Sequence, residues 1–257
     1  AFFYAMYLLN VGQHRVTFTP RYFRLIPEIH KETIALGIPV FLSYTGFAMM
    51  LLMVNIALVM VAKEDAPLLI SAHGILNRTF MLIFLPVLGM MIAFQTFAGF
   101  NYGAQKNDRV IQVLKVALAY TAGYSLVWST IMILIPDVIF QIFSQDQILI
   151  QEAANISSIV FIAFITVGIA MICPALFQAL GFAKPAALLN AFHTYILLLP
   201  ALGLYSLFWG DEYGSDGIWW LFPITDVITA IIVGFYTWYF VAKLKTELTI
   251  QQANNLS

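Results

Sequence analysis

Two charged side chains, Arg78 and Asp226, lie well inside long apolar runs of this sequence and are the first candidates for chemistry. A charge inside a membrane span is costly, so it usually pairs with another group or marks a path for ions or substrates. Arg78 lies about 11 residues into its run and Asp226 about 9, so at 1.5 Å per residue their depths match within about 3 Å. We therefore expect the two to pair or to share a polar network. Such a pair either fastens the helices together or lets Asp226 gain and release a proton.

Uncharged polar side chains inside the apolar runs are further candidates for the same path. His73 and Asn77 are four residues apart and share one face of a predicted helix, which could line a cavity. His73 is also near the end of its run, where an interfacial histidine costs little. Asn55, Gln178 and Asn190 complete the candidates for an ion or substrate path, and Gln95, Asn155 and His193 are other polar residues in the runs.

Several function classes find no support in the residues. The single cysteine, Cys173, leaves no partner for a disulfide within this sequence, and the four histidines show no zinc-ligand spacing. No P-loop, nucleophile elbow or acid–base constellation marks an enzyme. A net charge of −1 lacks the basic footprint that nucleic-acid binding requires. We therefore predict a protein that is not an enzyme and that uses no metal or organic cofactor.

The elements that hold these residues must be membrane helices. Apolar residues make up 61% of the chain and charged residues 10%, whereas soluble domains average roughly 45–50% and about 25%. So few charged residues cannot provide a water-exposed surface for a chain of this length. The 22 Phe, 12 Tyr and 5 Trp are typical of a lipid-facing protein with aromatic belts at both interfaces.

Six apolar stretches are long enough to cross a bilayer, which takes about 20 helical residues. They cover residues 34–62, 67–98, 110–135, 148–180, 186–209 and 217–242. The predicted fold class is therefore an all-α polytopic membrane protein with a six-helix transmembrane bundle. Prolines within five of the runs predict bends or breaks in the helices: Pro39, Pro86, Pro174, Pro200 and Pro223.

The distribution of basic residues predicts how the bundle is oriented. Ten Lys and Arg residues fall on one side of the six predicted spans, and only Lys63 falls on the other. By the positive-inside rule the basic loops and the C-terminus are cytoplasmic, in a multi-pass protein of the plasma or inner membrane. Residues 1–9 are apolar but too few to span, so we expect them to end a preceding helix of a longer protein. A cytoplasmic segment (10–33), the six-helix lobe (34–242) and a cytoplasmic tail (243–257) follow.

Four short motifs occur in order along the six spans. Leu36–Pro39 reads L-G-I-P, and Gly99–Val110 reads G-F-N-Y-G-A followed by a basic segment. Pro174–Gly181 contains F-Q-A-L-G, and Gly217–Asp226 contains G-I-W-W and P-I-T-D. Together, from Leu36 to Asp226, they resemble the motifs of multidrug and toxic compound extrusion (MATE) family transporters.

The resemblance implies a twelve-helix transporter of two six-helix lobes, of which this chain is the C-terminal lobe. Its partners would be the lipid bilayer and the missing N-terminal lobe, and its substrates would be bulky organic cations exchanged for H⁺ or Na⁺. Some family members carry a cation-binding acid in the middle of the first and fourth spans. Here those positions read Thr45–Ala48 and Val167–Ala170, without an acid. The missing acids argue against sodium binding by this lobe. They favour H⁺ over Na⁺ as the coupling ion, with the N-terminal lobe as an alternative place for the coupling.

A substrate cavity and two other functions stay open at this point. Phe47, Met49 and Met53 in the first span are candidates for the cavity because methionine adapts to varied ligands. Each is also compatible with ordinary lipid or core contacts. The alternative functions are a lipid-linked oligosaccharide flippase of the same superfamily and an inactive transporter fragment or membrane scaffold. A flippase is expected to carry several cationic residues in its cavity, and Arg78 alone lies inside a span.

Overall fold

The computed structural model of the protein describes the backbone of residues 26–254 and the side chains of residues 26–245. The chain divides into two compact units, Ala1–Ala35 and Leu36–Ser257. In the first unit, residues 27–35 are helical. The helix end predicted at 1–9, the basic residues Arg15, Arg21 and Arg24, and the last three residues of the predicted tail lie outside the described residues. The domain boundaries remain predictions.

The described chain is built from α-helices and short 3-10 or π segments. The α-helices are α1 (Pro27–Ala62), α2 (Ala66–Gly103), α3 (Asn107–Leu134), α4 (Pro136–Phe140), α5 (Gln147–Val160), α6 (Val167–Ala179), α7 (Ala183–Ala191), α8 (Leu199–Phe208), α9 (Gly210–Tyr213) and α10 (Asp216–Asn254). Two of the irregular segments join helices into longer spans. The 3-10 segment Phe161–Thr166 joins α5 to α6, and the π-helix Phe192–Leu198 joins α7 to α8.

Five continuous helical stretches between residues 26 and 254 are long and apolar enough to cross a membrane. The first, Pro27–Gly103, has 77 residues, several times the about 20 that one crossing needs. It contains α1 and α2, separated by the 3-10 segment Lys63–Asp65, where Lys63 adopts a positive φ of 50°. Residues of both helices share one buried cluster, as an antiparallel pair would. The bundle therefore has six helices of spanning length, which confirms the predicted fold class.

The predicted spans match the helices, but three helix ends lie further out. α1 begins at Pro27 rather than at residue 34, α2 continues to Gly103 and α10 continues to Asn254. The predictions followed the apolar residues only. A helix can continue past the hydrocarbon layer because its backbone hydrogen bonds are internal and its polar side chains reach water.

Proline proved a poor guide to helix interruptions. Pro39, Pro86, Pro174 and Pro223 lie inside continuous α-helices. The fifth, Pro200, directly follows the π-helix and begins α8. Near Pro86, the hydroxyl of Tyr124 on the neighbouring helix α3 donates to the carbonyl of Ile83 at 2.8 Å.

The 3-10 segment in the fourth span has no proline and was not predicted. Phe161 and Phe164 of this segment are buried, with ring centroids 5.0 Å apart. Ser129 of α3 donates a 2.7 Å hydrogen bond to the carbonyl of Phe161. One turn earlier, Ser157 donates to the carbonyl of Met132 at 2.8 Å. The neighbouring helix thus supplies the polar partner that irregular backbone needs inside a membrane.

The core and the surface are both apolar, as expected of a protein in lipid. One buried cluster, towards the acidic loops, includes Phe140, Phe161 and Trp219, and another, towards the basic loops, includes Phe94 and Ile172. Large apolar side chains are also exposed along the spanning helices, including Phe41, Phe100, Tyr120, Leu204 and Phe235. Such a surface would aggregate in water, whereas hydrocarbon solvates it.

Candidate functional site

A carboxylate and an imidazole meet in the middle of the bundle. Asp226 lies ten residues after the start of α10, and His193 lies ten residues after the start of α7. These two helix ends are on opposite sides of the membrane, so both side chains lie about 15 Å from an end, near the centre of a core about 30 Å thick. Nε2 of His193 is 2.9 Å from Oδ1 of Asp226.

The contact between His193 and Asp226 is electrostatic rather than a well-aligned hydrogen bond. The two side chains are 26% and 32% exposed, yet Nε2 itself is shielded and has no partner with hydrogen-bond angles. Nδ1 lies 3.5 Å from Oγ1 of Thr194. When the imidazole is protonated, the pair is a neutral ion pair in a region of low dielectric constant, where Coulomb attraction is strong.

The direct pair predicted between Arg78 and Asp226 is wrong. Arg78 is exposed on α2 and makes no ion pair within 4.0 Å in the described part of the chain. His193 takes its place beside the carboxylate. The sequence did indicate that His193 could meet Asp226, because both residues fall near the middle of their predicted spans. The prediction gave preference to full charges, and a histidine is charged only when protonated.

The π-helix Phe192–Leu198 determines where His193 points. Pro200 has no N–H group, so the carbonyl of Ile196 loses its usual helical partner. A π turn widens the helix by one residue and changes the direction of the side chains on it, and such turns are frequent at functional sites. His193 and Tyr195 both lie on this segment.

A network of neutral polar groups connects α1 to the π-helix beside the ion pair. Oγ1 of Thr45 and the hydroxyl of Tyr195 are 2.8 Å apart, and that hydroxyl is 3.2 Å from the carbonyl oxygen of Leu42. Ser43 donates to Oδ1 of Asn190 at 3.2 Å, and Asn190 donates to the carbonyl of its own helix at Ala186. Asn190, one of the predicted candidates, thus belongs to a hydrogen-bond network between helices. Ser43, Thr45 and Tyr195 belong to the same network and were not predicted as candidates.

Gly46 allows this close approach of α1. A Cβ atom on Gly46 would lie 3.1 Å from Cγ2 of Thr194 and 3.1 Å from Cε2 of Tyr195. Only glycine fits without moving these neighbours. Neutral side chains therefore close the middle of the first span around Gly46. Gly168 in the fourth span is similarly enclosed by Thr121, whose hydroxyl a Cβ would contact.

A second polar cluster lies near the basic ends of the helices. Gln95 donates to Oε1 of Gln178 at 2.8 Å, and Gln178 donates to the carbonyl oxygen of Leu36 at 3.2 Å. These bonds join α2, α6 and α1. The candidate Gln178 therefore connects three helices and lies away from the His193–Asp226 pair.

The remaining candidates are not brought to the pair by any recorded contact. His73 is buried against Trp219, with ring centroids 5.6 Å apart, so its face is covered rather than open to a cavity. Asn77 and Asn55 are half-buried. Met49 is exposed, Phe47 is half-buried, and Met53 packs towards Gly203. Among the side chains of residues 26–245, no three His, Cys, Asp or Glu cluster as metal ligands would.

Six spanning helices that bring a carboxylate and an imidazole together define an all-α polytopic membrane protein. A family model described as MatE matches residues 39–201, more than half of the chain. The chain therefore belongs to the MatE family, whose members are transporters and not enzymes.

Known proteins with similar sequences are exporters by name. The chain is 22% identical over 239 residues to the multidrug export protein MepA of Staphylococcus haemolyticus, covering 93% of this chain and 50% of that protein. It is also 22% identical over 185 residues to multidrug and toxin extrusion protein 1 of Mus musculus, covering 72% of this chain and 31% of that protein. The chain thus spans half or less of these relatives.

The fold is also similar to solved transporters. An outward-facing multidrug resistance MATE family transporter of the MOP superfamily superposes with a TM-score of 0.81 at 20% identity. The match covers 95% of this chain and 54% of that structure. At this identity the similarity establishes the fold.

Proposed function

We propose that this chain is the C-terminal lobe of a multidrug exporter that exchanges bulky organic cations for H⁺. Family membership and the names of the two relatives support export of drugs. The observation that carries the coupling is the carboxylate of Asp226, about a third exposed, in the middle of its span beside an imidazole that can take up a proton. One negative charge in hydrocarbon attracts a cation, and a proton competes with that cation for it.

Protons rather than sodium ions suit the described residues. Sodium prefers several oxygen ligands including carboxylates, as hard cations do. The middle of the first span instead has a Thr45–Tyr195 hydrogen bond, and the middle of the fourth span has Gly168 against Thr121. The neutral groups leave Asp226 and His193 as the charged pair of this region.

The proposed site favours an exporter of cations over a flippase of diphosphate-linked lipids. A diphosphate needs several cationic side chains, whereas the mid-membrane pair offers a carboxylate. Arg78 is exposed on α2, and Asp226 is not its partner within 4.0 Å among the described residues. The missing N-terminal lobe, as the second wall of the cavity, is part of this proposal.

Gradient-driven efflux tests the proposal. The full-length protein would be reconstituted in proteoliposomes and loaded with ethidium, and a pH or sodium gradient would then be imposed. We expect efflux with the pH gradient and its loss in Asp226→Asn. Efflux that is independent of both gradients would rule out antiport, and efflux with sodium alone would rule out the proton.

The orientation is testable on the same protein. We propose that the protein spans the inner or plasma membrane with its basic loops in the cytoplasm. Cysteines introduced for Lys184 and Asp146 should react from opposite sides of sealed vesicles, while the buried Cys173 gives little background. Labelling of both from one side would contradict the six-span topology.

A further inference from the structure

We propose that His193 carries the exchanged proton and that Asp226 remains a fixed negative charge, which holds a monovalent organic cation whenever His193 is neutral. This assignment rests on the proposed function and adds a division of roles between the two side chains. It differs from the simpler expectation that Asp226 itself titrates.

The contacts of the imidazole support uptake of a proton at Nδ1. Nε2 is shielded and lies 2.9 Å from Oδ1 of Asp226, which can only accept, so a neutral ring keeps its proton on Nε2, on the side of the carboxylate. Nδ1 then has a lone pair and lies 3.5 Å from Oγ1 of Thr194. A hydronium ion gives its proton to this lone pair, one O–H bond breaks as one N–H bond forms, and water is released. The product is an imidazolium beside a carboxylate.

Counting charges explains how the two ligands exclude each other. With His193 neutral, the pair carries one negative charge, which attracts a monovalent cation. With His193 protonated, the pair is neutral and the cation loses its counter-charge. Because charges interact strongly away from water, a single proton is enough to switch the site. One proton is therefore exchanged for one cation, and the pair's own charge and its ligand together stay neutral.

The residue types assign the proton to the imidazole. Histidine ordinarily changes charge between about pH 5 and pH 8, the range of cellular proton gradients. Carboxylates ordinarily stay ionised throughout that range. Both side chains are a quarter to a third exposed, so this lobe by itself does not cover them completely.

No other charged group of the described chain contacts the pair. Neither Lys nor Arg lies within 4.0 Å of Asp226, and no third His, Cys, Asp or Glu joins the two in a cluster. From Leu36 to Lys245, the other titratable residues on the π-helix, on α10 and on the elements packed against either are Tyr44, Asp108, Arg109, Lys115, Tyr120, Tyr124, Glu152, Cys173, Lys184, Tyr195, Tyr205, Asp211, Glu212, Tyr213, Asp216, Tyr236, Tyr239, Lys243 and Lys245. Of these, Tyr195 binds Thr45 and Tyr205 donates to Gly214.

Binding of tetraphenylphosphonium to the purified full-length protein at varied pH tests the assignment. In the wild type we expect affinity to fall several-fold from about pH 8 to pH 6 as His193 takes up a proton. His193→Gln should bind at both pH values with little change between them. Asp226→Asn should lose binding at both. His30→Gln is the matched control, because His30 is exposed on α1, and it should keep the wild-type pH dependence.

Two results would overturn the assignment: wild-type pH dependence in His193→Gln, or undiminished affinity in Asp226→Asn. If the wild-type protein still shows efflux driven by a pH gradient, the proposed antiport stands and only the division of roles between His193 and Asp226 is wrong. Should His193→Gln fail to fold, NMR of ¹⁵N-histidine in the wild-type protein gives the answer. Saturating tetraphenylphosphonium near pH 6.5 must then shift one histidine towards its neutral form, and the absence of any such shift overturns the proposal.

Discussion

The two irregular segments inside the spans, Phe161–Thr166 and Phe192–Leu198, differ in their burial and in the side chains that they carry. The 3-10 segment carries buried aromatic rings, and Ser129 satisfies one of its carbonyls. The π-helix is mostly half-buried, and it carries His193 and Tyr195, which contact Asp226 and Thr45. Neighbouring helices bury the aromatic rings of the first segment, whereas the second segment presents polar groups to its own neighbours.

The comparison teaches that an irregular helix is not by itself a functional site. What matters is which side chains it presents and whether water can reach them. Phe161 is fully buried, whereas His193 is about a quarter exposed. We therefore expect changes at the 3-10 segment to lower stability without changing coupling. Changes at the π-helix should alter transport by the full-length protein at a smaller cost in stability.

The largest loss of stability is expected for Phe161→Ala. Phe161 is fully buried and contacts Phe164 and Phe80, with centroids 5.0 and 6.1 Å away. Truncation should cost about 2–4 kcal/mol, because the cavity remains although lipid removes part of the transfer contribution. Thermal unfolding in detergent measures the loss. Phe97→Ala, at an exposed position on α2, should cost far less. Lost efflux with unchanged stability in Phe161→Ala would break the comparison.

Gly46→Leu should cost less stability and remove most transport. The new side chain must displace Thr194 and Tyr195, whose atoms already lie 3.1 Å from a Cβ on Gly46. Overpacking costs about 1–3 kcal/mol, and here it separates α1 from the π-helix. Gly89→Leu is the control, because nothing lies within 4 Å of a Cβ there. Equal effects of the two substitutions on efflux would show that the contact has no functional role.

Ser129→Ala isolates the polar support of the 3-10 segment. It removes the 2.7 Å bond to the carbonyl of Phe161, and we expect a loss of about 1 kcal/mol, within the range for hydrogen bonds between membrane helices. The neighbouring Thr130→Val removes only a bond to the carbonyl of Leu126 in its own helix. Unfolding curves should separate the two variants, and the pH dependence of efflux should match the wild type in both. A shifted pH dependence would assign the 3-10 segment to coupling.

Tyr195→Phe should have the smallest effect on stability and a clear effect on transport. It removes the hydroxyl 2.8 Å from Thr45, a contact worth about 0.6 kcal/mol on average between membrane helices. The initial rate of ethidium efflux should fall several-fold because the π-helix loses a connection to α1. Tyr44→Phe, at an exposed position of α1, should leave the rate unchanged. An unaltered rate in Tyr195→Phe would restrict the functional region to His193 and Asp226.

Much of the fold followed from composition alone. A chain with 61% apolar residues can satisfy its backbone in lipid only by forming helices or a closed barrel, and long apolar runs select helices. That reasoning predicted six spans. It also identified Asp226 as a candidate functional residue, because a charge inside a membrane span is energetically costly. It also named Asn190 and Gln178 as candidates for an ion or substrate path. The structure shows both in interhelical hydrogen bonds, and their role in transport stays a prediction.

Only the tertiary structure decided which residue meets Asp226. Depth along a span can be counted from the sequence, but the rotation of each helix about its axis cannot. That rotation leaves Arg78 exposed, buries His73 against Trp219 and turns His193 towards the carboxylate. The π-helix ahead of Pro200 adds a local rotation that no regular periodicity describes. Apolar content determines that a helix crosses the membrane, whereas packing against its neighbours determines where its few polar side chains point.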